Sequence, residues 1–326
     1  MTVQITIIGL GQIGTSIGLT LARYPERIKR VGYDRELDVQ NKAKGLGAFD
    51  EVKFKLPAAI EGADVVLLCI PLDQVEETLK LIAPDLRPDA VVMDFSPQKS
   101  ATHKWFEQHV PAGRHYIGLV PSVNPRLLDQ TGHGIEAARA DFFEDASIGI
   151  AAPNGVSSDA MKLAADLVEL LGAKTVFLDM LEADGMLMTA HLLPQVISAA
   201  FLNATVDLPG WSEARRFAGQ PYNQSSAALG ADTLEGLTQA LIQNPLAATN
   251  ALTNAIGALT HMRAAIEKGD QDDLQKRLEL AFSDRETWLS ERLRAEWGGP
   301  QEKSEAPKSK DFLKRIFLGE RNKDKK

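Results

Sequence analysis

Residues 3–21 run Val3-Gln4-Ile5-Thr6-Ile7-Ile8-Gly9-Leu10-Gly11-Gln12-Ile13-Gly14-Thr15-Ser16-Ile17-Gly18-Leu19-Thr20-Leu21. A β-branched apolar run stops at a glycine, two more glycines follow at G-x-G-x-x-G spacing, and an amphipathic stretch begins at once. The segment therefore predicts strand, tight turn and helix in that order. Gly9 permits the turn, Gly11 removes a side chain from where a pyrophosphate would approach, and Gly14 lets helix and strand pack closely. Gln12 and Ile13 complete the turn and start the helix, whose unsatisfied first-turn N–H groups and dipole favour phosphate. Asp34 closes the next apolar run at the place where a carboxylate accepts ribose hydroxyls. The expectation is a doubly wound α/β domain that holds a dinucleotide. Asp34 repels a 2′-phosphate and so favours NAD. The adjacent Arg35, able to stack on adenine or pair with that phosphate, leaves NADP open.

Working outward, strands are expected at Val3–Ile8, Lys29–Tyr33, Asp64–Ile70, Ala90–Phe95, Tyr116–Pro121, Ser147–Ala152 and Lys174–Leu178. Helical patterns lie between them at Gly14–Arg23, Glu36–Lys44, Leu72–Ala83, Gln98–His109 and Ser157–Leu171. This alternation predicts a parallel sheet covered by helices over residues 1–179, a Rossmann domain. Beyond it the β-branched runs vanish, and Met180–Val206, Thr233–Gln243, Pro245–Lys268 and Asp270–Trp297 read as helices of a second, all-helical domain over 180–299. Residues 300–326 form a separate tail, polar at first and therefore expected to be disordered. Within it Asp311–Leu318 places Phe312, Leu313, Ile316 and Phe317 on one helical face beside Lys314 and Arg315. That is the pattern of a short docking helix for a partner or an anionic surface, or of a frayed charged end.

The 326-residue chain is about twice a typical domain, which agrees with two cores. Its net charge of −8 combines nine Lys/Arg against five Asp/Glu in residues 301–326 with a −12 body. A body of that sign argues against nucleic-acid binding as the main role. One cysteine allows neither an internal disulfide nor a zinc cluster, so the chain reads as reducing and cytoplasmic. The histidines are scattered and predict no metal site. No transmembrane span and no leader are read from the apolar pattern.

Further motifs carry a family resemblance. GLGQIGTSIGLTL, the strand end CIPL, DFSPQKS, YIGLVPSVNP, EADGMLMTAHLLPQV and GWSEARRFA occur in that order over about residues 1–265, and the chain resembles the prephenate/arogenate dehydrogenase family. The resemblance implies a Rossmann domain followed by a helical domain that makes a homodimer. It also implies an NAD(P)-dependent oxidative decarboxylation in which a ring C–H gives hydride to the nicotinamide, a carboxylate leaves as CO2 and the ring becomes aromatic. Such a reaction needs an acceptor for the ring hydroxyl proton, a cation for the side-chain carboxylate and a dry surface for the ring.

The match is uneven where the chemistry is concentrated. The family's G-G-H-P histidine falls on Val120, which cannot relay a proton. The serine of its D-x-G-S-x-K segment falls on Pro97, with Ser96 one place earlier. Its S-H-L-P-H helix becomes His191-Leu192-Leu193-Pro194-Gln195, so Gln195 replaces a substrate-contacting histidine and His191 stands on the serine. Arg216 in Arg215-Arg216-Phe217-Ala218 keeps the position of the carboxylate-binding arginine. The cofactor set expected is thus Gly9, Gly11, Gln12, Ile13, Gly14, Asp34, Arg35, Ile70, Pro71 and Ser96. The small anionic substrate would meet Arg216, Gln195 and Ser122, with His191, Asn124 and Asp184 as candidates for proton transfer in the cleft between the domains.

Each of these has a plainer role open to it. His191 could serve a helix–helix contact, Arg216 could pair with Glu213, Ser122 and Asn124 could be turn residues, and Asp184 could be a first-turn helix charge. Cys69 reads as a packed strand residue. Residues 180–208 hold no lysine, which counts against the related β-hydroxyacid dehydrogenase reaction. The function expected is an oxidoreductase with an altered substrate site. The alternative is a dinucleotide-binding sensor or docking protein without turnover.

Overall fold

The computed structural model describes residues 2–294 except Thr131; the 311–318 segment lies outside the described residues. The chain divides into two compact units, the first ending at Asp184 and the second starting at Gly185.

The first unit is built on eight strands: β1 (Val3–Ile8), β2 (Ile28–Tyr33), β3 (Glu51–Val52), β4 (Val65–Leu68), β5 (Val91–Asp94), β6 (His115–Pro121), β7 (Ser147–Ala151) and β8 (Lys174–Leu178). They form one sheet in the order β3-β2-β1-β4-β5-β6-β7-β8, which reverses direction of growth at β1 as in a doubly wound fold. β1 pairs in parallel with β2, Ile8 opposite Tyr33, and with β4, Ile8 opposite Leu68. Three strand ends are thereby brought side by side. Every residue of β4 and β5 is buried, as expected of central strands covered on both faces.

Six helices belong to this sheet: α1 (Gln12–Leu21), α2 (Leu37–Gly45), α3 (Leu56–Ile60), α4 (Leu72–Ile82), α5 (Lys99–His109) and α6 (Ser158–Leu170). Ile17 and Leu21 of α1 join Ile5, Ile7, Leu67, Met93 and Ile117 of the sheet in one buried core. The sheet departs from the sequence reading in two places, and the short helix α3 has no counterpart in that reading. The two-residue β3 is too short to leave a periodic signal. β6 and β7 run antiparallel, with Val120 opposite Gly149, because the link between them carries only single 3-10 turns, Pro125–Leu127 and Ile135–Ala137, instead of a crossover helix.

The second unit is helical. After α7 (Met180–Leu187), which spans the boundary, come a π-helical turn (Met188–Leu192), α8 (Leu193–Val206), α9 (Trp211–Ala214), α10 (Gln220–Ser226), α11 (Leu234–Gln243), α12 (Pro245–Lys268) and α13 (Gln271–Arg294). Asn244 caps α12 by accepting from Ala247 N (3.3 Å), and Gly269, at φ +67°, ends it and starts the return into α13. The run Met180–Val206 is 27 residues long with a window of mean hydropathy 1.4, so by length and composition it does reach a membrane-spanning value. It also carries His191 and Gln195, hydrogen-bonded to Asp232 within the helical unit.

Candidate active site

The glycine turn is shaped as its sequence requires. Gly9 sits at φ +91°, and a Cβ there would fall on the Cys69 carbonyl oxygen; one on Gly14 would fall on the Gly9 oxygen. A Cβ on Gly11 would meet no protein atom within 4 Å. The loop is therefore closed at Gly9 and Gly14 and open at Gly11, where a phosphate needs room. Gly11 is the N-cap of α1 without a side-chain cap, and no acidic residue stands in the first turn to compete with an anion. Thr15 Oγ1 donates to Leu10 O (2.8 Å), Gln12 Nε2 donates to Ala137 O (3.3 Å), and half-buried Ile13 packs against the core.

Asp34 holds the loop from beside it. Its Oδ2 accepts from Leu10 N (2.7 Å) and its Oδ1 from Glu36 N (2.9 Å), so the carboxylate is fixed at the end of β2 with further lone pairs available to hydroxyls. Arg35 is exposed and, among the described residues, pairs with its neighbour Glu36 at 3.4 Å. Ile70 and Pro71 follow β4 and are partly exposed, with Ile70 lying against Gly9. Burial pushes the thiol pKa of the neighbouring Cys69 up, which disfavours the thiolate.

Behind β5 lies a buried polar cluster that sequence reasoning did not single out. Lys99 is 0% exposed, and its Nζ donates to Asp94 O (2.8 Å), Ser96 O (2.5 Å) and Asp94 Oδ2 (3.3 Å). Burial pulls the Lys99 pKa down, and it holds that of the Tyr116 phenol well up. Tyr116 donates to Asp94 Oδ2 (3.2 Å), which also accepts from Ser96 Oγ (2.9 Å). A Cβ on Gly118 would lie 2.7 Å from Lys99 Cδ, so that glycine makes the room for the lysine. A lysine that follows a strand-end Asp and faces a strand glycine was the available signal, but lysine is ordinarily a surface residue.

Several predicted residues prove to be committed to the scaffold. Asp184 is buried, accepting Lys99 N at Oδ1 (2.5 Å) and Ser100 N at Oδ2 (3.1 Å), and caps α5 from outside that helix. Asn124, also buried, donates to Asp141 O (2.9 Å) and accepts from Arg126 N (3.0 Å). Ser122 Oγ accepts from Ser147 N (2.9 Å), stitching β6 to β7. Ser96 is buried with its hydroxyl between Asp94 and Thr102. Val120, on the family's histidine position, is partly exposed near the end of β6.

In the helical unit the arrangement differs. His191 lies in the π turn, and its Nε2 is 2.7 Å from Asp232 Oδ2. Gln195, 1% exposed, donates from Nε2 to that same oxygen (2.7 Å) and to His191 O (3.1 Å). Both partners being acceptors, the amide orientation is set, and buried Gln195 Oε1 is left without a hydrogen-bond partner. The His191 and Gln195 bonds draw the Asp232 pKa below the carboxylate range against the opposing effect of burial. Arg216 follows α9 on the surface, and its guanidinium makes no ion pair among the described residues; Glu213 instead accepts from Ser212 Oγ (2.6 Å). Tyr222 OH is 2.8 Å from Thr205 Oγ1. No group of three His, Cys, Asp or Glu converges among the described residues.

A doubly wound sheet, a phosphate-shaped glycine turn and a strand-end carboxylate define a Rossmann-type dinucleotide-binding domain. Residues 17–177 match the family described as prephenate dehydrogenase, nucleotide-binding domain, a span that starts just after the glycine turn. The chain is 27% identical over 275 residues to a cyclohexadienyl dehydrogenase of Zymomonas mobilis, covering 83% of this chain and 91% of that one. The prephenate dehydrogenase of Aquifex aeolicus, solved with hydroxyphenyl propionate and NAD+, superposes with a TM-score of 0.77 at 18% identity, over 88% of this chain and 98% of that chain. Synechocystis arogenate dehydrogenase gives 0.67 at 22%, over 87% and 99%. Residues 17–177 thus match the nucleotide-binding domain of the prephenate dehydrogenase family, and the chain is similar to a cyclohexadienyl dehydrogenase along most of its length.

Proposed function

We propose that this chain is an NAD-dependent dehydrogenase acting on a cyclohexadienyl acid of the prephenate or arogenate class, with its proton-transfer group moved from strand β6 to the helical unit. Support for the cofactor is the open Gly11 between closed Gly9 and Gly14, the uncapped α1 N-terminus and the Asp34 carboxylate. Gly9, Gly11, Gln12, Ile13 and Gly14 would hold the pyrophosphate and Asp34 the ribose, with Arg35, Ile70, Pro71 and the Ser96 loop around them. Bound by these residues, NAD would supply the hydride acceptor for the reaction.

The residues of this chain supply the rest. His191 accepts the proton of the ring hydroxyl as hydride leaves the carbon bearing it, and returns it to the phenolate once the carboxylate has departed as CO2. Arg216, exposed and without an ion pair among the described residues, holds the side-chain carboxylate, and Gln195 holds the His191–Asp232 pair in place. The observation that carries this reading is the His191–Asp232 hydrogen bond in a chain whose family histidine position is Val120. Exposed Ile242, Leu246, Ile256, Leu259 and Ile266 support the helical unit as a homodimer surface, and the lone cysteine fits a reducing cytoplasm.

The test offers prephenate, arogenate and small keto acids with NAD and NADP to the purified chain and follows nicotinamide absorbance. Turnover of prephenate or arogenate with NAD is expected. Turnover confined to another acid would overturn the substrate assignment, and none at all would overturn the reading as an enzyme. Asp34→Ala is expected to weaken NAD binding by about tenfold and NADP binding less, measured by titration calorimetry.

A further inference from the structure

We infer that Asp232 is a positioning residue: it fixes His191 as the Nε2–H tautomer and so leaves Nδ1 as the atom that exchanges a proton. The inference rests on the reading of His191 as the proton-transfer group, but the geometry behind it is independent of any substrate. Asp232 precedes α11, 41 residues from His191 in sequence, and the two side chains meet at 2.7 Å. An ionised carboxylate can only accept, so the neutral imidazole must present N–H at Nε2 and a lone pair at Nδ1.

Two further features hold this pair in one geometry. Gln195 Nε2 donates to the same Asp232 oxygen (2.7 Å), filling its remaining direction, and bridges to His191 O (3.1 Å), which ties α8 to the π turn. The π turn from Met188 to Leu192 inserts one extra residue into an otherwise α-helical run, rotating His191 relative to α7. A π insertion is exchanged for poorer backbone hydrogen bonding, so it persists where surrounding contacts specify it. The carboxylate lies mostly covered, at 22% side-chain exposure, whereas the imidazole keeps 39% and remains reachable. Glu235 on α11 and His261, Arg263, Glu267 and Lys268 on α12 carry the other titratable groups of the helices packed on this turn; none is hydrogen-bonded or ion-paired to His191. The arrangement is that of an imidazole oriented by a buried carboxylate, in which tautomer and direction matter together.

The test is made on the full chain, histidine-labelled with 15N, without cofactor or substrate. Long-range 1H–15N correlation spectra are recorded at mildly alkaline pH and His191 is assigned by its loss in His191→Gln. The native protein is expected to show the Nε2–H tautomer. Asp232→Asn, whose amide N–H can donate to Nε2, is expected to shift it to Nδ1–H, and Asp232→Glu to keep Nε2–H. An Nδ1–H tautomer in the native protein, or the same tautomer in Asp232→Asn, would overturn the inference. In parallel, kcat with prephenate or arogenate and NAD is expected to fall about 10²-fold or more in Asp232→Asn with KM within about threefold, and to recover in part in Asp232→Glu. An equal loss in both variants, matched by a fall in melting temperature, would make Asp232 merely structural and overturn it too. If no substrate turns over, the proposed function fails while the tautomer still decides the pairing.

Discussion

Asp184 and Asp232 are both covered carboxylates, one in each unit, and they are spent differently. Asp184 gives its two oxygens to the backbone N–H groups of Lys99 and Ser100 and so organises the start of a helix. Asp232 gives one oxygen to two side chains, one of them an imidazole that is still 39% exposed. In the nucleotide unit Asn124, Ser122 and Asp34 likewise bond to backbone groups, whereas in the helical unit Asp232, His191 and Gln195 hold one another through side-chain bonds. The difference teaches that a carboxylate bonded to backbone N–H groups shapes a loop, and that one bonded to an imidazole can orient it.

The strongest way to break the scaffold side of this comparison is Lys99→Met. It leaves the carbonyl oxygens of Asp94 and Ser96 without their buried donor, and we expect a loss of about 3–5 kcal/mol in urea unfolding. A change below about 1 kcal/mol would show that the cluster does not hold the β5–α5 loop. Next in size is Gly9→Ala, which combines a positive φ with a clash on the Cys69 carbonyl. We expect about 2–4 kcal/mol of destabilisation and no detectable NAD binding. Gly11→Ala sharpens the point: with open space around its Cβ it should fold with native stability yet bind NAD more weakly, and equal stability losses in the two variants would contradict the division of roles.

A smaller effect separates a scaffold carboxylate that is not satisfied. Asp166 on α6 is buried, its Oδ2 has no hydrogen-bond partner, and burial raises its pKa from 3.8 to about 6. The folded carboxyl thus keeps its proton over a range where the unfolded one has lost it, so stability falls as pH rises from about 4 to about 6. Asp166→Asn is expected to be more stable than the native protein by about 1–3 kcal/mol above pH 6, the gain vanishing below about pH 4. A constant difference across that range would show that burial does not govern this group.

Legibility in the sequence follows the same line between the units. The glycine turn, Asp34, and seven of the eight strands are written in local patterns of period and spacing, and the strand bounds from sequence and structure differ by at most two residues. β3 escaped because two residues have no period, and the antiparallel β7 because strand direction depends on the link between strands. Turn roles for Asn124 and Ser122 were legible, whereas the partners of Asp184 and Ser122 were not, because they are backbone groups 85 and 25 residues away. Asp232 could not be found at all: it stands in a turn, outside any motif. A hint did exist at the π turn, where His191 falls off register against the family pattern before Pro194.

The central claim is that proton transfer resides on the π turn of the helical unit while cofactor binding resides wholly in the other. It is tested most directly by comparing His191→Gln with the native chain in one stopped assay series, NAD binding by calorimetry and NADH formation from prephenate or arogenate by absorbance. The account predicts unchanged NAD affinity and a fall in kcat of about 10²-fold or more. Native turnover in His191→Gln would contradict it.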